Sequence, residues 1–126
     1  MEFQKLIPKD KFDDSGVEKL KTLSFEEIEP IIPDLLKWLQ DMNWPVAKCI
    51  ADILEPFADK ITSQIISILR SDDGMWKYWI LGNLVRNTND PSILMELERI
   101  ARHPSKDDID CEVNLEAVSI LNGEYK

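Results

Sequence analysis

The sequence is poor in the residues on which many catalytic and metal sites depend. It holds one histidine, two cysteines and four glycines among 126 residues. Metal coordination would have to depend on carboxylates, and a serine or cysteine nucleophile would have only His103 as its base. No glycine-rich phosphate-binding loop of known spacing is present. We therefore expect no enzymatic activity, no catalytic residue, no bound metal and no cofactor.

Long apolar runs and positive charge are also scarce. No run of about 18 apolar residues is present to span a membrane, and the chain shows no signal-peptide pattern. The formal net charge of −9 repels phosphate backbones and anionic lipids. We therefore expect a cytoplasmic protein that binds neither nucleic acid nor membranes. Cys49 and Cys111 form no C-x-x-C motif, and we expect Cys49 to be a small buried apolar residue.

The negative charge is concentrated after residue 21. Residues 1–21 carry five basic and five acidic side chains, whereas the remainder carries 10 basic and 19 acidic ones. Two explanations stay open. Acidic helix surfaces keep a small protein soluble, or they bind a basic protein partner.

An apolar spacing that returns three times is the strongest pattern in the chain. A period between about 20 and 50 residues is typical of stacked helical units, and no segment sustains the alternation of a strand. We predict one all-α domain over residues 1–126, a short right-handed α-α superhelix of about seven helices arranged as hairpins. Residues 1–23 would form an N-terminal cap, followed by repeat units 24–56, 57–87 and 88–122. The recurring sets are Ile28, Ile32, Leu35 and Leu36; Ile61, Ile65, Ile68 and Leu69; and Ile93, Leu97, Ile100 and Ala101.

Local signals place several helix ends. Ser24 with Glu27 and Ser105 with Asp108 have the spacing of capping boxes. Proline interrupts the helix that follows Ser24, which predicts a kink or two short helices there. Further signals are a cap at Asp13 or Asp14, a helix start at Asp90-Pro91, a stop at Asn122-Gly123, and Gly82 at a predicted close approach of helices.

The segment Ile32–Asp41, followed by Trp44-Pro45-Val46-Ala47, resembles the HEAT-repeat pattern. Roughly residues 4–121 also resemble a bacterial family known as domain of unknown function 5071. Its members share segments such as Leu-Leu-Lys-Trp-Leu-Gln-Asp-Met-Asn-Trp-Pro-Val-Ala and Met-Trp-Lys-Tyr-Trp-Ile-Leu. The resemblance implies a HEAT-like all-α fold and brings no established activity.

Aromatic residues are clustered between residues 38 and 79, where all four tryptophans lie. Two explanations stay open. The rings fill gaps between repeats, or they form an exposed patch with an acidic border that anchors a partner. On the second explanation, the predicted partner-binding residues are Trp44, Trp76, Tyr78, Asp41, Asp72, Asp73 and Lys77.

These observations favour a small acidic protein-binding module. In its concrete form it is an inhibitor or immunity-type protein for a basic partner, with salt-sensitive association. The alternative is a small-ligand or metal-binding domain, or an enzyme, with a carboxylate-lined pocket near the tryptophans. A third possibility is self-association through the aromatic edge. The oligomeric state stays open.

Overall fold

The computed structural model describes residues 3–126. Its regular secondary structure consists of short helices. Within those residues the structure has nine α-helices and no β-strand, which confirms the all-α prediction. The α-helices are α1 (Val17–Leu20), α2 (Phe25–Ile28), α3 (Ile32–Leu36), α4 (Ala47–Leu54), α5 (Thr62–Leu69), α6 (Gly74–Leu84), α7 (Pro91–Arg102), α8 (Lys106–Asp110) and α9 (Val113–Leu121). The 3₁₀ helices are Phe3–Leu6, Glu29–Ile31, Lys37–Gln40 and Glu55–Lys60. None of the described helices combines the length and apolar character that crossing a bilayer requires.

The chain divides into a first unit that ends at Phe57 and a second unit, Ala58–Lys126. The sequence predicts one domain, and the division falls next to the predicted start of the second repeat at residue 57. The predicted repeats 57–87 and 88–122 lie together in the second unit. The assembly of hairpins into a superhelix stays a prediction.

The first unit confirms the interrupted helix expected after Ser24. The Ser24 side chain accepts a hydrogen bond from the Glu27 backbone N–H, and the Glu27 side chain accepts one from the Ser24 backbone, so the capping box is complete. A 3₁₀ turn then joins α2 to α3, and Pro33 lies in the first turn of α3. A proline at that position removes no hydrogen bond from the helix. The first apolar set is buried: Ile28, Ile32, Leu35 and Leu36.

The second unit is built on α7 and α9, which make the most extensive helix contact, while α6 packs against α9, α8 and α5. Asp90 caps α7 and Pro91 occupies its first turn, as predicted. The second and third apolar sets are buried except for Ala101, which is half-buried: Ile61, Ile65, Ile68, Leu69, Ile93, Leu97 and Ile100. The periodic pattern therefore identified the core.

One predicted helix cap is wrong, and one predicted helix is divided. Neither Asp13 nor Asp14 caps α1, whose N-cap is Gly16 with no side-chain hydrogen bond; Asp13 instead accepts bonds within its own loop. The signals at Ser105 and at Asn122-Gly123 predict one helix between them, but the structure divides it into α8 and α9. Glu112 adopts a left-handed conformation, with φ of 61°, between α8 and α9. This turn makes the helices more numerous than expected.

Glycine limits packing at a different position from the one predicted. At Gly82 an added Cβ would meet only the Arg86 side chain, at 3.8 Å, so no close helix approach requires glycine there. At Gly74 an added Cβ would lie 2.7 Å from the Asp107 carbonyl oxygen and 2.7 Å from Cys111 Sγ. The start of α6 therefore packs tightly against α8 because residue 74 has no side chain.

Candidate partner-binding surface

The start of α6 exposes acidic and apolar side chains next to each other. Asp72 and Asp73 are exposed, Met75 is 43% exposed, and Trp76 is half-buried. The Asp73 carboxylate caps the helix by accepting a hydrogen bond from the Trp76 backbone N–H at 3.0 Å. The Asp73 backbone N–H donates to Ser71 Oγ at 3.3 Å. We call these four residues, Asp72, Asp73, Met75 and Trp76, the α6 surface.

Lys77 does not belong to the α6 surface, which corrects the prediction that it borders an exposed patch. The residue is 2% exposed, and its Nζ lies 2.6 Å from Asp108 Oδ1 on α8. Residues three apart share one side of a helix, so Lys77 lies on the same side of α6 as Gly74, the side that packs against α8. A lysine buried there requires a charged partner, and Asp108 supplies it.

Asp108 combines this ion pair with a helix cap. Its carboxylate accepts a hydrogen bond from the Ser105 backbone N–H at 2.9 Å, and Ser105 Oγ accepts one from the Asp108 backbone N–H at 3.1 Å. Burial by itself raises the pKa of Asp108, but the interactions with Lys77 and Ser105 outweigh it and hold the pKa below its ordinary value. Asp108 is therefore ionised at neutral pH and paired with Lys77.

Tyr78 and Trp79 follow on α6 and pack against each other. Their ring centroids are 5.2 Å apart in an edge-on arrangement, and both residues are half-buried. This geometry is typical of aromatic packing. The role of Tyr78 in partner binding stays a prediction.

Asp41 and Trp44 lie in the first unit and form a local cluster of their own. Asp41 Oδ1 accepts a hydrogen bond from the Asn43 backbone N–H at 2.8 Å, and the Trp44 backbone N–H donates to the Asp41 carbonyl at 3.1 Å. The Trp44 ring packs edge-on against Trp38, with centroids 5.5 Å apart. Asp41, Trp38 and Trp44 are all half-buried. Part of the aromatic cluster is therefore engaged in packing.

Sequence reasoning missed Met75 and Asp108. The sequence did contain one signal for Asp108, its place in a capping box, but nothing in that motif indicated a pairing with Lys77. Met75 lies on a helix that has no single apolar side, so no periodicity identified it as exposed.

The remaining candidates for chemistry are the two cysteines and the single histidine. Cys49 and Cys111 are both free, and Cys49 is half-buried where full burial was expected. His103 follows α7 and is exposed. Within residues 3–126, no group of three or more His, Cys, Asp or Glu side chains is placed to hold a metal ion.

Comparison with curated proteins finds no match to this chain. One family model does match, over residues 6–121, and it covers most of the chain. This extent agrees with the all-α structure and with the sequence segments around Trp44 and Trp76. The chain belongs to the family described as Domain of unknown function (DUF5071).

Proposed function

We propose that this chain is a protein-binding module whose α6 surface contacts a basic protein partner. The observation that carries the proposal is the exposure of Asp72 and Asp73 beside Met75 and Trp76 on one helix start. Tryptophan at the centre of an interface commonly contributes much of the binding energy. Exposed carboxylates beside it select a positively charged partner and accelerate association.

The backbone beneath the α6 surface is held from several directions. The Asp73 cap fixes the first turn, Gly74 lies tightly against α8, and Lys77 joins α6 to Asp108 on α8. Because a rigid contact surface loses little conformational entropy on binding, these contacts favour affinity. They support α6 as a recognition element.

The overall charge supports the choice of a basic partner. A net charge of −9 attracts positively charged proteins over roughly one Debye length, about 8–10 Å at physiological salt. An inhibitor or immunity-type protein that neutralises a basic partner is the concrete form of this proposal. We also propose a cytoplasmic location, where thiols such as those of Cys49 and Cys111 stay reduced.

The test removes the two exposed charges and keeps the helix cap. The variant combines Asp72→Asn with Asp73→Ser, because serine also accepts the capping hydrogen bond. The matched control combines Glu26→Gln with Glu29→Gln, which removes two exposed charges from the first unit. Each tagged protein is used to capture partners from a lysate of the source cells at low and high salt.

The proposal expects one stoichiometric basic protein whose capture falls at high salt. The Asp72→Asn/Asp73→Ser variant should lose at least tenfold in affinity for that protein, measured by calorimetry, and the control less than twofold. Equal losses in both variants would show that net charge alone causes retention. The proposal would be contradicted if no stoichiometric partner is captured, or if the affinity does not change with salt concentration.

A further inference from the structure

A buried carboxylate on α7 accepts hydrogen bonds from two arginines. Glu96 on α7 has a side chain only 8% exposed. Arg70, directly after α5, donates two hydrogen bonds to it, from Nε to Oε1 at 3.0 Å and from Nη2 to Oε2 at 3.1 Å. Arg99, one turn further along α7, donates from Nε to Oε1 at 3.2 Å. We call these three residues the arginine clamp.

The arginine clamp carries one positive charge more than its internal pairing requires. Two guanidinium groups face one carboxylate, and the hydrogen bonds from Arg70 hold the pKa of Glu96 below its ordinary value, so Glu96 stays ionised. Arg70 and Arg99 nevertheless keep 65% and 42% of their side-chain surface exposed. The arginine clamp is therefore a local excess of positive charge in a protein whose net charge is −9.

Hydrogen-bond donors also remain available in the arginine clamp. A guanidinium has five N–H donors. Arg70 uses two of them on Glu96, and Arg99 uses one on Glu96 and one on the Leu69 carbonyl at 3.3 Å. Because the contacts to Glu96 and to the end of α5 orient both groups, little side-chain entropy is lost when a further ligand binds.

We propose that the arginine clamp is a binding site for a phosphate group. Guanidinium groups match the oxygens of phosphate in forked hydrogen bonds, and several oxygens on one phosphorus atom allow a single ligand to bridge both arginines. The phosphate is free inorganic phosphate or a phosphate monoester. The proposal does not require the α6 surface to bind a protein, so either proposal can fail without the other.

Acidic side chains near the arginine clamp lower the affinity that we expect for phosphate. Glu98 on α7 is exposed and lies 3.5 Å from Arg102, which it neutralises. Asp72 and Asp73 follow Arg70 closely along the chain and reduce the local positive potential. We therefore expect a dissociation constant on the order of millimolar for inorganic phosphate.

The test is a titration of the full chain with inorganic phosphate, followed by amide and arginine Nε chemical shifts at constant ionic strength. Wild type should show saturable shifts around Arg70 and Arg99. Arg70→Ala and Arg99→Ala should each raise the dissociation constant at least fivefold. The control Glu98→Gln/Arg102→Ala removes an exposed ion pair of the same helix without changing the net charge and should change the dissociation constant less than twofold.

A further variant separates geometry from net charge. Glu96→Gln adds a unit of positive charge but removes the carboxylate that orients the guanidinium groups. The proposal expects weaker phosphate binding in this variant, by threefold or more, with the amide spectrum confirming that the protein is folded. Tighter binding would show attraction by charge alone and would overturn the proposal.

Two parallel titrations identify the ligand more closely. If phenyl phosphate binds as tightly as inorganic phosphate or more tightly, the site is assigned to phosphate monoesters. If phenyl phosphate binds more weakly, the site is assigned to free inorganic phosphate. Acetate at equal or higher affinity would overturn the choice of phosphate. Shifts that never saturate in wild type would overturn the site itself.

Discussion

The two glycines of α6 should respond in opposite ways to the same substitution. An alanine Cβ at position 74 would lie 2.7 Å from the Asp107 carbonyl oxygen and 2.7 Å from Cys111 Sγ. Cβ atoms essentially never lie within 3.0 Å of such atoms, so α8 would have to move by several tenths of an ångström. At position 82 the nearest such contact is 3.8 Å, with the flexible end of Arg86.

The expected magnitudes follow from these distances. Forcing an extra carbon into a packed contact costs about 1–3 kcal/mol, and we expect Gly74→Ala to lower the free energy of unfolding by that amount. Alanine in a helix interior is favoured over glycine by up to about 1 kcal/mol, and we expect Gly82→Ala to raise it. The two variants should therefore differ by about 1–4 kcal/mol.

Urea denaturation measures the difference with two probes. Far-ultraviolet circular dichroism reports helices throughout the chain, and tryptophan fluorescence includes Trp76 and Trp79 of α6. Coincident transitions are needed to treat the unfolding as one step, because the chain has two units. If the probes separate, the comparison is repeated in a Trp38→Phe/Trp44→Phe background, where the remaining tryptophan fluorescence comes from α6 alone.

A second substitution tests the stated cause of the loss. Cys111→Ala removes the sulfur that clashes with the new Cβ, although the Asp107 carbonyl remains. In the Gly74→Ala background it should therefore cost less than in wild type, with a coupling energy of about 0.5–3 kcal/mol. Gly74→Ala as stable as wild type, or zero coupling, would refute the reasoning about close packing between α6 and α8.

Three further predictions concern the ion pair and a cap. Lys77→Met leaves Asp108 buried without its partner, so the free energy of unfolding measured in urea should fall by about 3–5 kcal/mol. Adding Asp108→Asn should recover part of this loss. No recovery would contradict the ion pair between Lys77 and Asp108. Because the folded pKa of Asp108 lies below its unfolded value, this group stabilises the fold above pH about 4. Its contribution is lost as pH falls through the folded pKa, so thermal unfolding of Asp108→Asn should depend less on pH in that range. Ser24→Ala breaks the capping box of α2 and should cost about 1 kcal/mol, whereas Ser24→Asp should restore most of it.

Features that depend on neighbours along the chain were predictable from the sequence. All members of the three apolar sets except Ala101 are buried, because helical periodicity brings residues at this spacing to one side. The caps at Ser24, Asp90 and Ser105 were found because a cap and its backbone partner lie within three residues. The family match over residues 6–121 agrees with the resemblance seen in the sequence.

Features that depend on distant residues were not predictable. Lys77 is paired with Asp108, which follows it on a different helix, and neither residue type indicates the other. For the same reason the sequence indicated a close approach at Gly82 and not at Gly74, where the tight contact comes from Asp107 and Cys111. The division of the last helix depends on the left-handed backbone of Glu112, a conformation that glutamate seldom adopts.

The burial of Lys77 also changes the electrostatics of the candidate surface. A lysine on the border of the patch would have offset one of the two negative charges of Asp72 and Asp73. The structure instead uses that lysine to neutralise Asp108 inside the second unit. Both exposed carboxylates then keep their charge without competition from Lys77, while Asp73 retains its cap. The correction to the predicted site therefore strengthens the physical case for a basic partner.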